Sequence, residues 1–228
     1  MLVDIHSHNH NVQNFKHFRF IVEKNAVGIH PWELLNTVNL ISVKEKMNKL
    51  KEKVNSAIMA IGECGLDRRK KGLLLIEDQI TVLTWHLDWA LEVKKPIIIH
   101  CVHAYSDLIK ILKTKKYKGK ILIHDFSGNI KEAQTLLTFD CYFSFGYRLF
   151  NQYSKTAGIF KNLPTEKIFL ETDDQKEFTI EDIYQKAMLL LGSDQVNLEV
   201  LFEKNLKSFF SDLNNIGPTN IIDNFSHS

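Results

Sequence analysis

The chain has 228 residues and a formal net charge of +2, with 44% hydrophobic and 25% charged residues. That is enough chain for a full core, and the ordinary composition sets aside disordered, collagen-like and membrane-spanning classes. The near-zero charge does not announce a nucleic-acid binder, but it leaves room for a local basic patch. No apolar run approaches the roughly 20 residues that span a bilayer. The first residues, Met1 to His6, lack a basic segment and a long apolar core, so no secretory leader is read there. Cys64, Cys101 and Cys141 form no CxxC pair, and this odd count favours a reducing cytoplasm over a disulfide framework.

In chain order, short β-rich apolar runs alternate with helical patterns. Strands are predicted at 2–6, 18–22, 27–30, 58–64, 96–101, 120–124, 141–145 and 168–172. Helices are predicted over 43–54, 74–93, 106–113, 130–137, 153–162, 180–191 and 194–212. Several strands are apolar without alternation, as in parallel strands covered on both faces. This repetition predicts an α/β fold, a TIM-type (β/α) barrel. Too few residues separate 18–22 from 27–30 for a crossover helix, so the barrel is expected to be trimmed or irregular near its N-terminal strands. Residues 1–213 read as a single domain and 214–228 as a polar C-terminal tail.

In such a barrel the C-terminal strand ends share the face that carries the site. His6, His8, His30, His100 and His124 fall at or just beyond such ends, together with Glu63 and Asp173. His6 and His8 stand at i and i+2, so both imidazoles point to one side of their strand and can reach one metal. His10 extends the alternation but reads as a loop residue. Glu63 ends an apolar strand between Gly62 and Gly65, where a carboxylate is costly unless paired or metal-bound. Asp173 can ligate a metal and accept a proton from water. The competing reading for each is a hydrogen-bonded core residue, which their joint placement disfavours.

These segments resemble the TatD family of metal-dependent hydrolases. The resemblance runs from Val3 to about Phe209. It is carried by Asp4-Ile5-His6-Ser7-His8, Gly28-Ile29-His30-Pro31-Trp32, Ile61 to Asp67, Pro96 to His100, His124 to Gly128 and Glu171-Thr172-Asp173. Gln79, His86, Leu87 and Ala90, and later Asn205 and Phe209, match the family's helix spacing. The resemblance implies two divalent ions (Mg, Mn or Zn), one held by His6, His8 and Asp173, the other by His100 and His124, with Glu63 bridging. It also implies hydrolysis of nucleic-acid phosphodiesters, most often DNA from the 3′ end, by a two-metal-activated water. A monomeric enzyme without membrane association is expected. The alternative is hydrolysis of a small-molecule ester, lactone or amide on the same barrel. Such enzymes commonly bridge their metals with a carbamylated lysine or use one metal, and no Lys ends a suitable strand. The chain departs from the family at Val102-His103, Asp174-Gln175 and His10, and it is short for the family.

Around this core the readings stay open. His30 either faces the metals and substrate phosphate or structures its loop with Pro31. Trp32 either stacks on a base or packs. Arg68, Arg69, Lys70 and Lys71 follow Glu63 closely and are read as a phosphate-guiding patch on the metal face. His86 reads as a hydrogen-bonded core histidine. Lys115, Lys116 and Lys118 precede a strand and read as solvated lysines on the opposite face.

Overall fold

A computed structural model describes residues 1–9, 17–35, 39–69 and 71–210. His10, Lys70 and the tail at 214–228 lie outside the described residues. The strands are β1 (Leu2–Ser7), β2 (His17–Ile21), β3 (Ala26–Val27), β4 (Ala60–Asp67), β5 (Ile97–Val102), β6 (Ile121–Ile123), β7 (Cys141–Phe145) and β8 (Ile168–Leu170). The helices are α1 (Val22–Asn25), α2 (Leu40–Lys51), α3 (Ile76–Glu92), α4 (Tyr105–Lys115), α5 (Ile130–Leu136), α6 (Thr156–Asn162), α7 (Ile180–Leu191) and α8 (Gln195–Phe209). Each predicted strand and helix has a counterpart, with ends displaced by a few residues. Between β2 and β3 the connection is the single-turn α1 rather than a crossover helix, which is the expected irregularity.

Helix starts follow local chemistry. The Asn39, Asn129, Thr179 and Asp194 side chains accept the otherwise unmatched N–H groups of Ser42, Glu132, Asp182 and Asn197. Glu132 and Asp182 reach back to close reciprocal boxes. Gly192 ends α7 with φ 63°, a left-handed conformation that a glycine adopts without steric cost.

The chain forms two compact units, residues 22–141 and residues 1–21 with 142–228. In the continuous unit β3, β4, β5 and β6 pair in that order, all parallel. Here Ala60, Ile61, Ile97, Ile98, Ile99, Ile121, Leu122 and Ile123 are fully buried. α3 lies against β4 and buries Val82, Leu83, His86, Leu87 and Ala90, a stripe at helical spacing. A fully buried Leu83 or Leu87 contributes about 1.5–3 kcal/mol of transfer energy, an upper bound set by an extended unfolded chain.

In the discontinuous unit β1 pairs with β2 and β7 with β8, both parallel. A parallel bridge between Ser7 and Asp173 joins the end of β1 to the segment after β8. α7 and α8 cover β1 and β8. The Tyr184 hydroxyl on α7 accepts the Val3 N–H at 2.8 Å. Asn205 on α8 donates to the carbonyls of Thr165 and Ile168, which tethers the helix to the entry of β8. That explains the buried Asn205 that the sequence pattern singles out.

Candidate metal centre

In the discontinuous unit, two backbone bonds set the first cluster. The Asp173 N–H donates to the His6 carbonyl at 2.9 Å, and the His8 N–H donates to the Asp173 carbonyl at 3.1 Å. Asp173 has φ 53°, a left-handed conformation that Asp tolerates better than most residues. Its Oδ1 lies 3.7 Å from His6 Nε2 and 3.5 Å from His8 Nε2. The three residues offer ligand atoms within 4.8 Å of one another, a spacing that suits one cation.

The preceding residues hold this cluster from below. Asp4 is buried and accepts the Thr172 N–H and hydroxyl, both at 2.9 Å, and the Arg19 Nε–H at 3.0 Å. Burial pushes the Asp4 carboxyl up to about 6, although Arg19 and Thr172 favour its charged form. The Thr172 hydroxyl also lies 2.9 Å from Ser7 Oγ. Asp4, Arg19 and Thr172 thus fix the strand ends that carry His6 and Asp173.

In the continuous unit Glu63 is the hub. Its Oε1 lies 2.8 Å from His124 Nε2, 3.0 Å from His30 Nε2 and 3.3 Å from His100 Nδ1. Burial works against the Glu63 carboxylate, but the His124, His100 and His30 imidazoles hold its pKa well below the usual range. His100 turns its other nitrogen, Nε2, to Asp67 Oδ2 at 3.2 Å. Burial disfavours the His100 imidazolium, yet Asp67 and Glu63 raise its pKa.

Glycines let this cluster form. A Cβ on Gly65 would lie 1.9 Å from the His100 carbonyl oxygen, and one on Gly28 would lie 2.8 Å from Gly62 Cα. Both are close backbone approaches that only glycine allows. Nearby, His86 Nδ1–H donates to the Val82 carbonyl at 2.8 Å, and its Nε2 accepts the Ile29 N–H at 3.0 Å. Burial depresses the His86 pKa to about 4, so the ring is neutral in this role. His86 is the core histidine read from the sequence, and it anchors the backbone beside His30.

His30 structures its loop, as one of its two readings has it, and also meets Glu63. Its Nδ1 accepts the Trp32 N–H at 3.1 Å and shapes the turn, while Nε2 faces Glu63. Trp32 is 40% exposed, and its indole N–H donates to Asp67 Oδ2 at 2.9 Å. Arg68 is exposed but bonded to Asp107 Oδ2 at 2.8 Å, and the Arg69 N–H donates to Asp67 Oδ1 at 2.7 Å. Lys115 pairs with Asp88 at 2.7 Å.

Besides Asp4, two buried carboxylates were given no role by the sequence reading. Asp67 is one. It stands at i+4 from Glu63 on the same strand, so strand alternation was the available signal. Glu171 is the other: it is fully buried, accepts the Ser144 hydroxyl at 2.6 Å, and has a ligand atom within 4.8 Å of one on His6.

Parallel strands alternating with helices, several of them ending in imidazoles or carboxylates, define the α/β class of metal-dependent hydrolases of the TIM-barrel type. The model of the TatD related DNases matches residues 3–211, and the protein belongs to this family. An uncharacterised metal-dependent hydrolase of Buchnera aphidicola is 29% identical over 72% of this chain and 62% of its own length. The human 3′-5′ RNA nuclease TATDN2 is 30% identical over 65% of this chain and 19% of its own. The chain therefore spans less than two thirds of these relatives. The crystal structure of YJJV, a TatD homologue of Escherichia coli, superposes with a TM-score of 0.72 at 22% identity, covering 82% of this chain and 76% of the other. A TatD family hydrolase from Entamoeba histolytica gives 0.70 at 18% identity, over 81% of this chain and 73% of the other. No helix among the described residues is long and apolar enough to cross a membrane.

Proposed function

We propose that the protein is a two-metal nuclease, one hydrolase domain over residues 1–213, that cleaves nucleic-acid phosphodiesters. The observation that carries this reading is the buried Glu63 carboxylate faced by His30, His100 and His124 within 3.3 Å. Imidazole and carboxylate together suit Zn, Mn and Mg-like ions. In this reading His6, His8 and Asp173 would hold one ion and His100 and His124 the other, and Glu63 would be shared between them. The bound ions would supply Lewis acidity at the phosphoryl oxygens and a more acidic water at neutral pH.

The chain's own groups have separate tasks. The Asp173 side chain is 19% exposed, open enough to take the proton of an attacking water. The Asp173–His6 and His8–Asp173 backbone bonds hold that carboxylate beside the two imidazoles. His30 Nε2 would donate to a phosphoryl oxygen when not engaged by Glu63. Arg68 and Arg69 on the loop after β4 meet the phosphate backbone. Arg68 does so in competition with Asp107, which tempers its attraction for anions.

The name of the family supports DNA, and the human relative's title supports RNA and 3′-to-5′ polarity. Our reading is a 3′-5′ exonuclease of DNA, acting as a cytoplasmic monomer. The three buried cysteines suit a reducing compartment. The test is an assay of metal-reconstituted protein on end-labelled single- and double-stranded DNA, RNA, a chromogenic phosphodiester and a lactone, beside Asp173→Asn. Metal-dependent shortening of 3′-labelled DNA, lost in the variant, is expected. Turnover of the lactone alone would overturn the reading in favour of small-molecule hydrolysis.

A further inference from the structure

Asp67 belongs to no expected ligand set, yet it is fully buried and sits against His100. Its contacts are strongly determined. Oδ1 accepts the Arg69 N–H at 2.7 Å, and Oδ2 accepts the Trp32 indole N–H at 2.9 Å. Its backbone is fixed too: the Asp67 N–H donates to Gln79 Oε1 at 2.9 Å, and Gln79 Nε2 donates to the Leu74 carbonyl at 2.9 Å. The carboxylate therefore cannot turn away from His100 Nε2, 3.2 Å distant.

We propose that Asp67 is a positioning residue for the metal centre: it takes the Nε2–H of His100 and so leaves Nδ1 as the metal-binding nitrogen. A carboxylate only accepts, and a neutral imidazole has one N–H, so the hydrogen must stand on Nε2. The Nδ1 lone pair then faces the side of the ring where Glu63 Oε1 lies at 3.3 Å and His124 Nε2 at 3.2 Å. Trp32 acts through Asp67, holding the carboxylate and covering the ring edge, with ring centroids 5.9 Å from His100. This assigns Trp32 to the support of the site rather than to base stacking. Partners of this kind set ligand orientation and basicity, and their loss costs roughly 10–100-fold in metal affinity.

The proposal rests on the metal-centre reading, and its test needs no substrate. Zinc is titrated calorimetrically into wild type and Asp67→Asn, and the zinc-loaded proteins are studied by nitrogen-15 NMR with labelled histidine. His100 is assigned by loss of its signals in His100→Gln. The Asn amide cannot satisfy both neighbouring donors and His100 at once, because one of its two ends is itself a donor. Wild type should show a hydrogen-bonded Nε2–H on His100 with zinc on Nδ1. Asp67→Asn should lose that signal and bind zinc at one site roughly 10-fold or more weakly, with an unchanged circular dichroism spectrum. Zinc on Nε2 of wild-type His100, or unaltered affinity in a folded Asp67→Asn, would overturn the proposal. The wild-type NMR result decides even if the variant does not fold. Failure of wild type to bind zinc at all would refute the metal-centre reading itself and the proposal with it.

Discussion

His86 offers a quantitative test of how the scaffold supports the loop that carries His30. Its ring is fully buried, and its pKa falls from an ordinary 6.5 to about 4. The neutral ring is favoured only in the folded state, so the unfolded chain takes up a proton first as pH falls. The stabilisation is complete above pH 6.5 and is lost as pH drops from 6.5 toward about 4. Converted at about 1.36 kcal/mol per pH unit, the full effect is about 3 kcal/mol, of which about 2 kcal/mol is gone by pH 5. Replacing His86 by Gln keeps a group that can accept from Ile29 and donate to Val82 but cannot titrate. Urea unfolding of both proteins, with chelator present, is followed by circular dichroism between pH 7.5 and 4.5. The wild type should lose about 2 kcal/mol more than His86→Gln by pH 5, while other titrating groups cancel in the difference. His86→Leu should in addition cost about 1–3 kcal/mol at pH 7.5, because the Ile29 N–H is left buried and unpaired. Parallel pH profiles for wild type and His86→Gln would show that the ring is not held neutral and that the account of this anchor is wrong.

Other perturbations separate the parts of the site. Asp173→Asn keeps the shape of the side chain but cannot accept a proton, so metal binding by calorimetry should persist while turnover falls roughly 10²–10⁴-fold. Glu63→Gln should weaken metal binding instead, and excess metal should partly restore its activity; a variant that binds metal normally would remove Glu63 from the shared position. Replacing Arg68, Arg69, Lys70 and Lys71 with Ala should raise KM for long DNA and flatten its salt dependence, with little change on a small phosphodiester. Equal losses on both substrates would point to a structural role for that run. Gly65→Ala places a Cβ 1.9 Å from the His100 carbonyl at a φ of 150°. The overlap and the strained backbone should cost at least about 3 kcal/mol in urea unfolding, and a neutral substitution would contradict the close approach of β4 to β5.

The sequence made the fold legible wherever apolar strands ended in polar residues. Pro96 to His100 and Ile121 to His124 read correctly because β-branched runs with a terminal histidine have few competing arrangements. The short α1 could be anticipated only as a missing crossover, since four residues carry no helical period. HxH beside Asp173 was legible as chemistry, but the backbone bonds that align them join residues far apart in sequence and leave no local pattern. Asp67 was hidden for a different reason. Its neighbours Leu66 and Arg68 make it look like the start of a polar loop, and only the indole of Trp32 and the amide of Gln79 reveal what it holds. The Arg68–Asp107 pair was equally invisible, because Asp107 lies on α4, beyond the next strand.

The unit that holds His6, His8 and Asp173 is made from both ends of the described chain. Asp4 and Thr172 are separated by 168 positions, yet they share two hydrogen bonds. During synthesis β1 emerges first and must wait for β8, whereas residues 22–141 contain all the pairings of β3 to β6 and can assemble meanwhile. His6 and His8 therefore come into register with Asp173 late, only after β8 has been made. A nascent or truncated chain lacking the region around Asp173 cannot bring that carboxylate against His6 and His8, so under the proposed reading this ion site forms only once residue 173 has been made.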